Sequence, residues 1–346
     1  MKPVFWLALP LCLLLAACNP FHSKERSVPK LDEIRANLAF TCAYEKDRIP
    51  PRDPEADQLY HYARWLERNN LLKPDPAVWP QQERLYRIAT AYGHDKANLE
   101  LRDLIAEGKA FSVGEGNEIL DLTEDLIRRG IPGGYYDMGI YLEAGAGVKK
   151  DPELALKYFR KSADLGSPEG QYLVAEKLAP IDRAPDIARQ MRLCAAEQGH
   201  GEAAVMLGVN LSGLGRYPEA LKAFQLGVKA GNESAASFLE HGFEGRPADD
   251  GLYYLGQTKD PERVRRYMAI GDVLGRYSYR DPQVPDIDKV VPLPPAKLPP
   301  WDGTLEWIKA DDANIPPSLP SEARITEMAQ AKGLDPQTGR PLKAGK

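Results

Sequence analysis

A glycine that closes one helix and opens the next recurs five times in this chain, at Gly93, Gly130, Gly166, Gly199 and Gly231, at intervals of 37, 36, 33 and 32 residues. Self-similarity at such a period marks stacked supersecondary units, and it restricts the fold more than any local propensity does. Four positions after each glycine stands a small residue (Ala97, Gly134, Gly170, Ala203, Ala235), and eight after it an apolar one (Leu101, Met138, Val174, Leu207, Leu239). Ile105, Leu142, Leu178, Leu211 and Phe243 follow at the twelfth position. Steps of four fall on one helical face, so each unit opens with a helix whose small residue lets a neighbour approach closely. Proline announces a second helix at Asp53-Pro54-Glu55, Asp151-Pro152-Glu153, Ala184-Pro185-Asp186, Tyr217-Pro218-Glu219 and Asp260-Pro261-Glu262, because the first turn has no backbone hydrogen bond to lose. One amphipathic pair cannot bury its apolar face alone. The units are therefore expected to stack into an all-α fold, a right-handed α-solenoid.

The best-formed unit runs from Met138-Gly139-Ile140-Tyr141-Leu142-Glu143-Ala144-Gly145-Ala146-Gly147-Val148 through Asp151-Pro152 to Lys157-Tyr158-Phe159-Arg160-Lys161-Ser162-Ala163. It resembles a Sel-like repeat, a relative of the tetratricopeptide repeat common in bacteria, and the resemblance implies a tight turn at Gly145 and Gly147. Residues 85–280 are assigned to such repeats, although the unit at Gly166 replaces the turn glycines with Leu178-Ala179-Pro180. Residues 31–84 are expected to form an N-terminal helical cap, in which Leu31 to Asn70 reads as two helices broken by Arg48-Ile49-Pro50-Pro51. Residues 281–346 change character: Pro282, Pro285, Pro292, Pro294, Pro295, Pro299 and Pro300 exclude long helices. Trp301, Leu305, Trp307 and Ile308 are too apolar for a disordered tail. This Pro-rich segment is expected to lie along the solenoid as an extended strap, ending in a short helix near Ser321 to Ala331.

The N-terminus orders Lys2, an apolar run from Val4 to Leu15, and Leu15-Ala16-Ala17-Cys18. Residues 1–17 thus read as an export signal outside the fold, and its end resembles the lipobox of bacterial lipoproteins. The resemblance implies cleavage ahead of Cys18, acylation of Cys18, and a lipidated tether over residues 18–30. Two or three acyl chains, at about 0.8 kcal/mol per buried methylene, suffice for stable anchoring. Asn19 points to the periplasmic side of the outer membrane. No later run reaches the length of a membrane span, so the lipid is the expected membrane link. The formal net charge of −5 argues against a nucleic-acid partner. Loss of Cys12 and acylation of Cys18 leave Cys42 and Cys194. In a stack of helical pairs spaced about 8–10 Å apart they should be too distant for a disulfide, which needs Cα atoms within about 7 Å. Two buried free thiols are expected; a bridge would require the N-terminal segment to fold back along the stack.

No catalytic constellation, metal site or cofactor motif is apparent. His22, His61, His94, His200 and His241 are scattered, and His94 and His200 each follow a repeat glycine as helix-start residues. Gly114 and Gly116 suit an inter-helix turn. The chain's sixteen tyrosines and five tryptophans suit a binding surface, although most belong in a core. On the face of the first helices opposite the core stripe, expected to line the concave side, Tyr136, Asp137, Tyr141, Tyr172, Glu176 and Glu240 are the candidate contact residues. A lipid-anchored solenoid without an active site is a protein-binding device. The lipobox, the repeats, and a tail with Leu298-Pro299-Pro300-Trp301-Asp302-Gly303 and Gly333-Leu334-Asp335-Pro336-Gln337-Thr338-Gly339 together resemble the lipoproteins encoded beside phospholipase D effectors of type VI secretion. Those are immunity proteins, which hold the toxin in the periplasm and block its approach to phospholipid. The implied partner is a cognate phospholipase. The competing expectation is a scaffold for envelope-assembly proteins, such as those of exopolysaccharide export.

Overall fold

The computed structural model describes residues 39–342 except 115 and 181–182. Cys18, the export signal and the tether lie outside the described residues. Six helical hairpins follow one another: α1 (Pro54–Asn69) with α2 (Trp79–Ala91), α3 (Asp95–Ala106) with α4 (Glu118–Arg128), α5 (Pro132–Ala144) with α6 (Pro152–Leu165), α7 (Pro168–Leu178) with α8 (Pro185–Glu197), α9 (Gly201–Gly213) with α10 (Tyr217–Lys229), and α11 (Glu233–Gly242) with α12 (Pro261–Arg276). Each helix packs on the next, and α5 on α7, α8 on α10 and α9 on α11, which is the nearest-neighbour pattern of a solenoid. Helix α2 spans the expected boundary at residue 84, so the cap and the first repeat are one stack. Short helices α13 (Ile287–Val290), α14 (Glu306–Ala313) and α15 (Glu322–Ala331) interrupt the extended C-terminal segment.

The local logic is that of the sequence. All five repeat glycines adopt positive φ, between +73° and +110°, ending one helix and redirecting the chain into the next. The five signalled prolines open α1, α6, α8, α10 and α12, and the side chains of Asp53, Asp151 and Asp260 accept from the free N–H groups of the first turn. His94 and His200 cap α3 and α9, Nδ1 accepting from the Ala97 and Ala203 amides at 3.0 and 3.1 Å. Glycines inside helices mark close packing: a Cβ on Gly139 or Gly208 would come within 2.5 or 2.6 Å of the Phe159 or Phe224 ring.

Two expectations fail at the N-terminal end. Residues 39–53 form no helix beyond a single turn at Glu45–Asp47, so α1 is the one α-helix before Asn70 among the described residues; the stretch of the expectation over residues 31–38 lies outside them. Pro50 and Pro51 keep the segment extended, and it runs over the row of inter-hairpin turns instead of extending the stack. Tyr44 passes so close to Gly166 that a Cβ there would sit 2.6 Å from its carbonyl carbon. Cys42 and Cys194 are consequently not free thiols: they form a disulfide with Cα atoms 5.8 Å apart. Distance along the stack was the wrong measure, because the segment carrying Cys42 folds back across it.

The strap is present and its course is long. Val284, Ile287, Val290, Val291 and Leu305 are buried in the core of α9–α12. Gly231 admits this crossing, since a Cβ would overlap the Pro282 carbonyl. The chain then returns to the first hairpin, where the Asn314 side chain bonds Trp65 and Asn69. Ile325, Met328, Ala329 and Leu334 enter the core of α1–α3. The last helix thus packs on the first ones.

Candidate functional site

The six residues chosen from the sequence lie on the first helices α5, α7 and α11, and most are engaged within the chain. Asp137 accepts from the buried guanidinium of Arg102 at 2.6 Å, and the Tyr141 hydroxyl lies 3.4 Å from the same group. Tyr136 leans on Phe159, and the Tyr172 ring lies 4.5 Å from that of His200. Glu176 takes bonds of 2.8 and 2.6 Å from Arg192. Glu240 stands near Glu244 and Asp272, with burial raising its carboxyl above the usual range.

This side is acidic enough to titrate. Burial pushes the Glu100 carboxyl up to about 7, with Glu67 and Asp103 adding repulsion against the pull of Arg64. A carboxyl raised in the folded chain is charged at a cost, and that cost grows as pH rises from the unfolded value of about 4.5 and is complete above the folded one. Stability should therefore fall between about pH 4.5 and 7. Glu100→Gln should remove that loss, raising the urea midpoint at pH 8 by the equivalent of on the order of 1–3 kcal/mol while changing it little at pH 4.5. Equal midpoints for wild type and variant at pH 8 would contradict the assignment.

A concavity lies on the other side, among the second helices. A groove of about 760 Å³ runs the length of α8 and α10, with Asp186, Arg189, Gln190, Leu193 and Glu197 on one wall and Glu219, Lys222, Ala223, Leu226 and Lys229 on the other. Leu207 and Leu211 of α9 form its floor, and Asp288 and Leu293 of the strap line it beside Gln225. Leu193 is 43% exposed. Among the rim charges, Arg189 pairs with Asp186 and Arg216 with Glu219, and Glu197 accepts from the Tyr44 hydroxyl at 2.5 Å. Lys222 and Lys229 enter no ion pair among the described residues. Glu197 and Asp288 likewise enter no ion pair among the described residues, so it is along α10 that Lys222 and Lys229 can hold carboxylates or backbone carbonyls beside aliphatic side chains seated in the trough.

Sequence reasoning looked on the first helices and missed this site. A signal was present: Leu193 and Leu226 each stand eight residues after a helix-opening proline, Pro185 and Pro218, where α6 has Arg160. Two leucines in register, beside the buried stripes that carry Met191 and Phe224, point to an apolar trough between neighbouring second helices.

A family model for the Sel1 repeat matches residues 132–167, the α5–α6 hairpin. Another, described as a domain of unknown function (DUF6396), matches residues 235–342, which take in most of α11, α12 and the strap. No curated protein matches. Among solved structures, Pseudomonas aeruginosa 5086 (PA5086) is 31% identical with a TM-score of 0.54, over 74% of this chain and 95% of that one. The immunity protein Pa5087 from Pseudomonas aeruginosa gives the same 31% identity, TM-score of 0.54 and coverage of 74% and 95%. The immunity protein PA5088 from the same organism is 29% identical with a TM-score of 0.56, over 76% of this chain and 95% of that one. The hairpins, turn glycines and this shared extent agree: the chain belongs to the family of Sel1-repeat solenoids that includes Pseudomonas aeruginosa 5086 and the immunity protein Pa5087.

Proposed function

We propose that this chain is a lipid-anchored periplasmic immunity protein that binds and neutralises one toxin, a phospholipase delivered by type VI secretion. The observation that carries the reading is the 31% identity to immunity protein Pa5087 over 95% of that protein. Two features support the compartment. Leu15-Ala16-Ala17-Cys18 has the form of a lipobox, and the Cys42–Cys194 disulfide is the kind of bond that forms and persists outside the cytoplasm. The acidic first-helix side and the groove supply extended surface for a protein partner. In this role the solenoid acts by occupation: it covers the toxin's approach to phospholipid and does no chemistry of its own.

The test is a titration. The soluble form, residues 19–346 secreted to the periplasm and purified oxidised, is added to the purified phospholipase encoded beside the gene for this chain. Loss of lipase activity at one equivalent is expected, and cells lacking the chain should lyse only when that lipase is directed to the periplasm. An unaffected lipase together with capture of envelope-assembly subunits would overturn the reading in favour of a scaffold.

A further inference from the structure

The second helices α6, α8, α10 and α12 form three successive grooves, and the chain treats them differently. The groove between α10 and α12 is filled by the chain itself. Gln225 of α10 donates to Asp288 and to the Val291 carbonyl at 3.1 and 2.9 Å. Arg263 of α12 holds the Pro292 and Ala296 carbonyls, and Arg266 those of Val290 and Pro299. The aliphatic residues of that stretch sink into the core below. The groove between α6 and α8 is crossed at one end by residues 39–44, where Arg160 donates to the Ala39 carbonyl at 2.6 Å and Cys194 is joined to Cys42. Phe40 packs on the core there. The groove between them, α8–α10, is touched by Asp288 and Leu293 of the strap and by Tyr44 at Glu197, but no segment among the described residues fills it.

Resting on the immunity reading, we infer that the α8–α10 groove receives an extended segment of the toxin, with aliphatic side chains and at least one carboxylate, in the manner in which the next groove receives residues 284–299. Three observations select this occupant. The groove is open along two helices of 13 residues each, about 20 Å, which accommodates about six extended residues. Its floor and walls present Leu193, Leu207, Leu211 and Leu226, the aliphatic counterpart of the surface that receives Ile287 and Val290 next door. Its edge offers Lys222 and Lys229, and Arg265, which stands in α12 where Lys222 stands in α10, already lies 5.8 Å from the strap's Trp301 ring. The first-helix side is less suited, because its polar groups are largely paired with each other.

Two probes test this with the oxidised chain, residues 19–346. The first is a labelled synthetic peptide of residues 283–293, the chain's own groove-filling sequence supplied in trans. It should bind saturably, and Leu193→Glu with Leu226→Glu should weaken it at least ~30-fold. No saturable binding by the wild-type chain would overturn the groove as a segment receptor. Binding that appears only after removal of residues 19–38 would assign the groove to this chain's own tether. A dimer abolished by the two substitutions would assign it to a second copy; either result overturns the inference. The second probe is the purified phospholipase. The double variant should lose inhibition at least ~100-fold, whereas Leu156→Glu, at an exposed leucine of α6, should stay within about threefold. Full inhibition by the double variant would sink the groove and leave the immunity function standing. Failure of the wild-type chain to bind the phospholipase would sink both the immunity reading and the assigned occupant, even if the peptide binds. Both leucines are partly exposed, and an unchanged circular-dichroism spectrum and intact disulfide verify that the variant is folded.

Discussion

Cys42→Ser is expected to lower the stability of the oxidised chain by about 3–5 kcal/mol. The bond joins residues 152 apart in sequence, and removing it restores to the unfolded chain the entropy of a very large loop, a gain that rises with the logarithm of loop length. Few native contacts compensate. Residues 39–48 bury little apolar surface beyond Phe40, and polar bonds hold them: Tyr44 to Glu197, the Glu45 amide to Gln198, and Gln171 to the Ala43 carbonyl. Urea titrations of wild type, of wild type with reductant and of the variant should give one high and two matching lower midpoints. Limited proteolysis should cut the variant between residues 39 and 49. Cleavage should stop short of Arg52, which the buried Asp95 carboxylate holds at 2.7 and 2.9 Å. A loss below about 1 kcal/mol would mean that the segment is retained by its polar contacts alone.

Arg87→Met should cost about as much, about 3–5 kcal/mol, by a different route. Arg87 lies between two carboxylates, donating to Glu83 at 2.7 Å and to Glu118 at 2.5 Å, with a further bond of 2.7 Å to the Phe111 carbonyl. Arg87 is 5% exposed, Glu83 3% and Glu118 6%, so none of the three charges can turn to water. Without Arg87, Glu83 keeps the strap's Arg340, which donates two bonds of 2.8 Å. Glu118 keeps the Val113 amide, at 2.7 Å, but loses its ion-pair partner among the described residues, since Arg340 is bonded to Glu83 and acts on Glu118 only through space. Adding Glu118→Gln should therefore recover a large part of the loss, read as the urea midpoint of the double variant against that of the single one. If the double variant is as unstable as the single one, the lost term is packing around Arg87 and not an orphaned carboxylate.

Local rules made the hairpins legible. Gly145 and Gly147 must turn, Pro152 must open a helix and Met138 must face inward, whatever happens elsewhere in the chain. The strap was legible as a need, because Trp301 and Leu305 require cover, but not as a route. That it ends with Met328 among the residues of α1–α3 depends on how far the stack curves, a quantity spread over every hairpin. The disulfide failed for a related reason, since the separation of Cys42 from Cys194 was judged along the stack and an extended segment crosses it. The first-helix residues were legible only as a set, because an acidic or aromatic residue such as Asp137 or Tyr136 reads the same in sequence whether a neighbouring hairpin or a foreign protein meets it. A clue lay in the period, however. Arg102 meets Asp137 across 35 residues and Arg64 meets Glu100 across 36, so opposite charges one repeat apart mark contacts between hairpins.

A solenoid with two free ends unravels from them, each terminal repeat opening at a fraction of the cost of the whole. Here α15 sits in the core of α1–α3 while the chain that leads to it is seated against α10 and α12, so the first hairpin cannot open without unseating the last helix. Amide hydrogens of α1 and α12 should then exchange as slowly as those of α6, in place of the gradient from middle to ends that an open stack of repeats shows. A protease working on the folded molecule meets no frayed terminal repeat at which to begin.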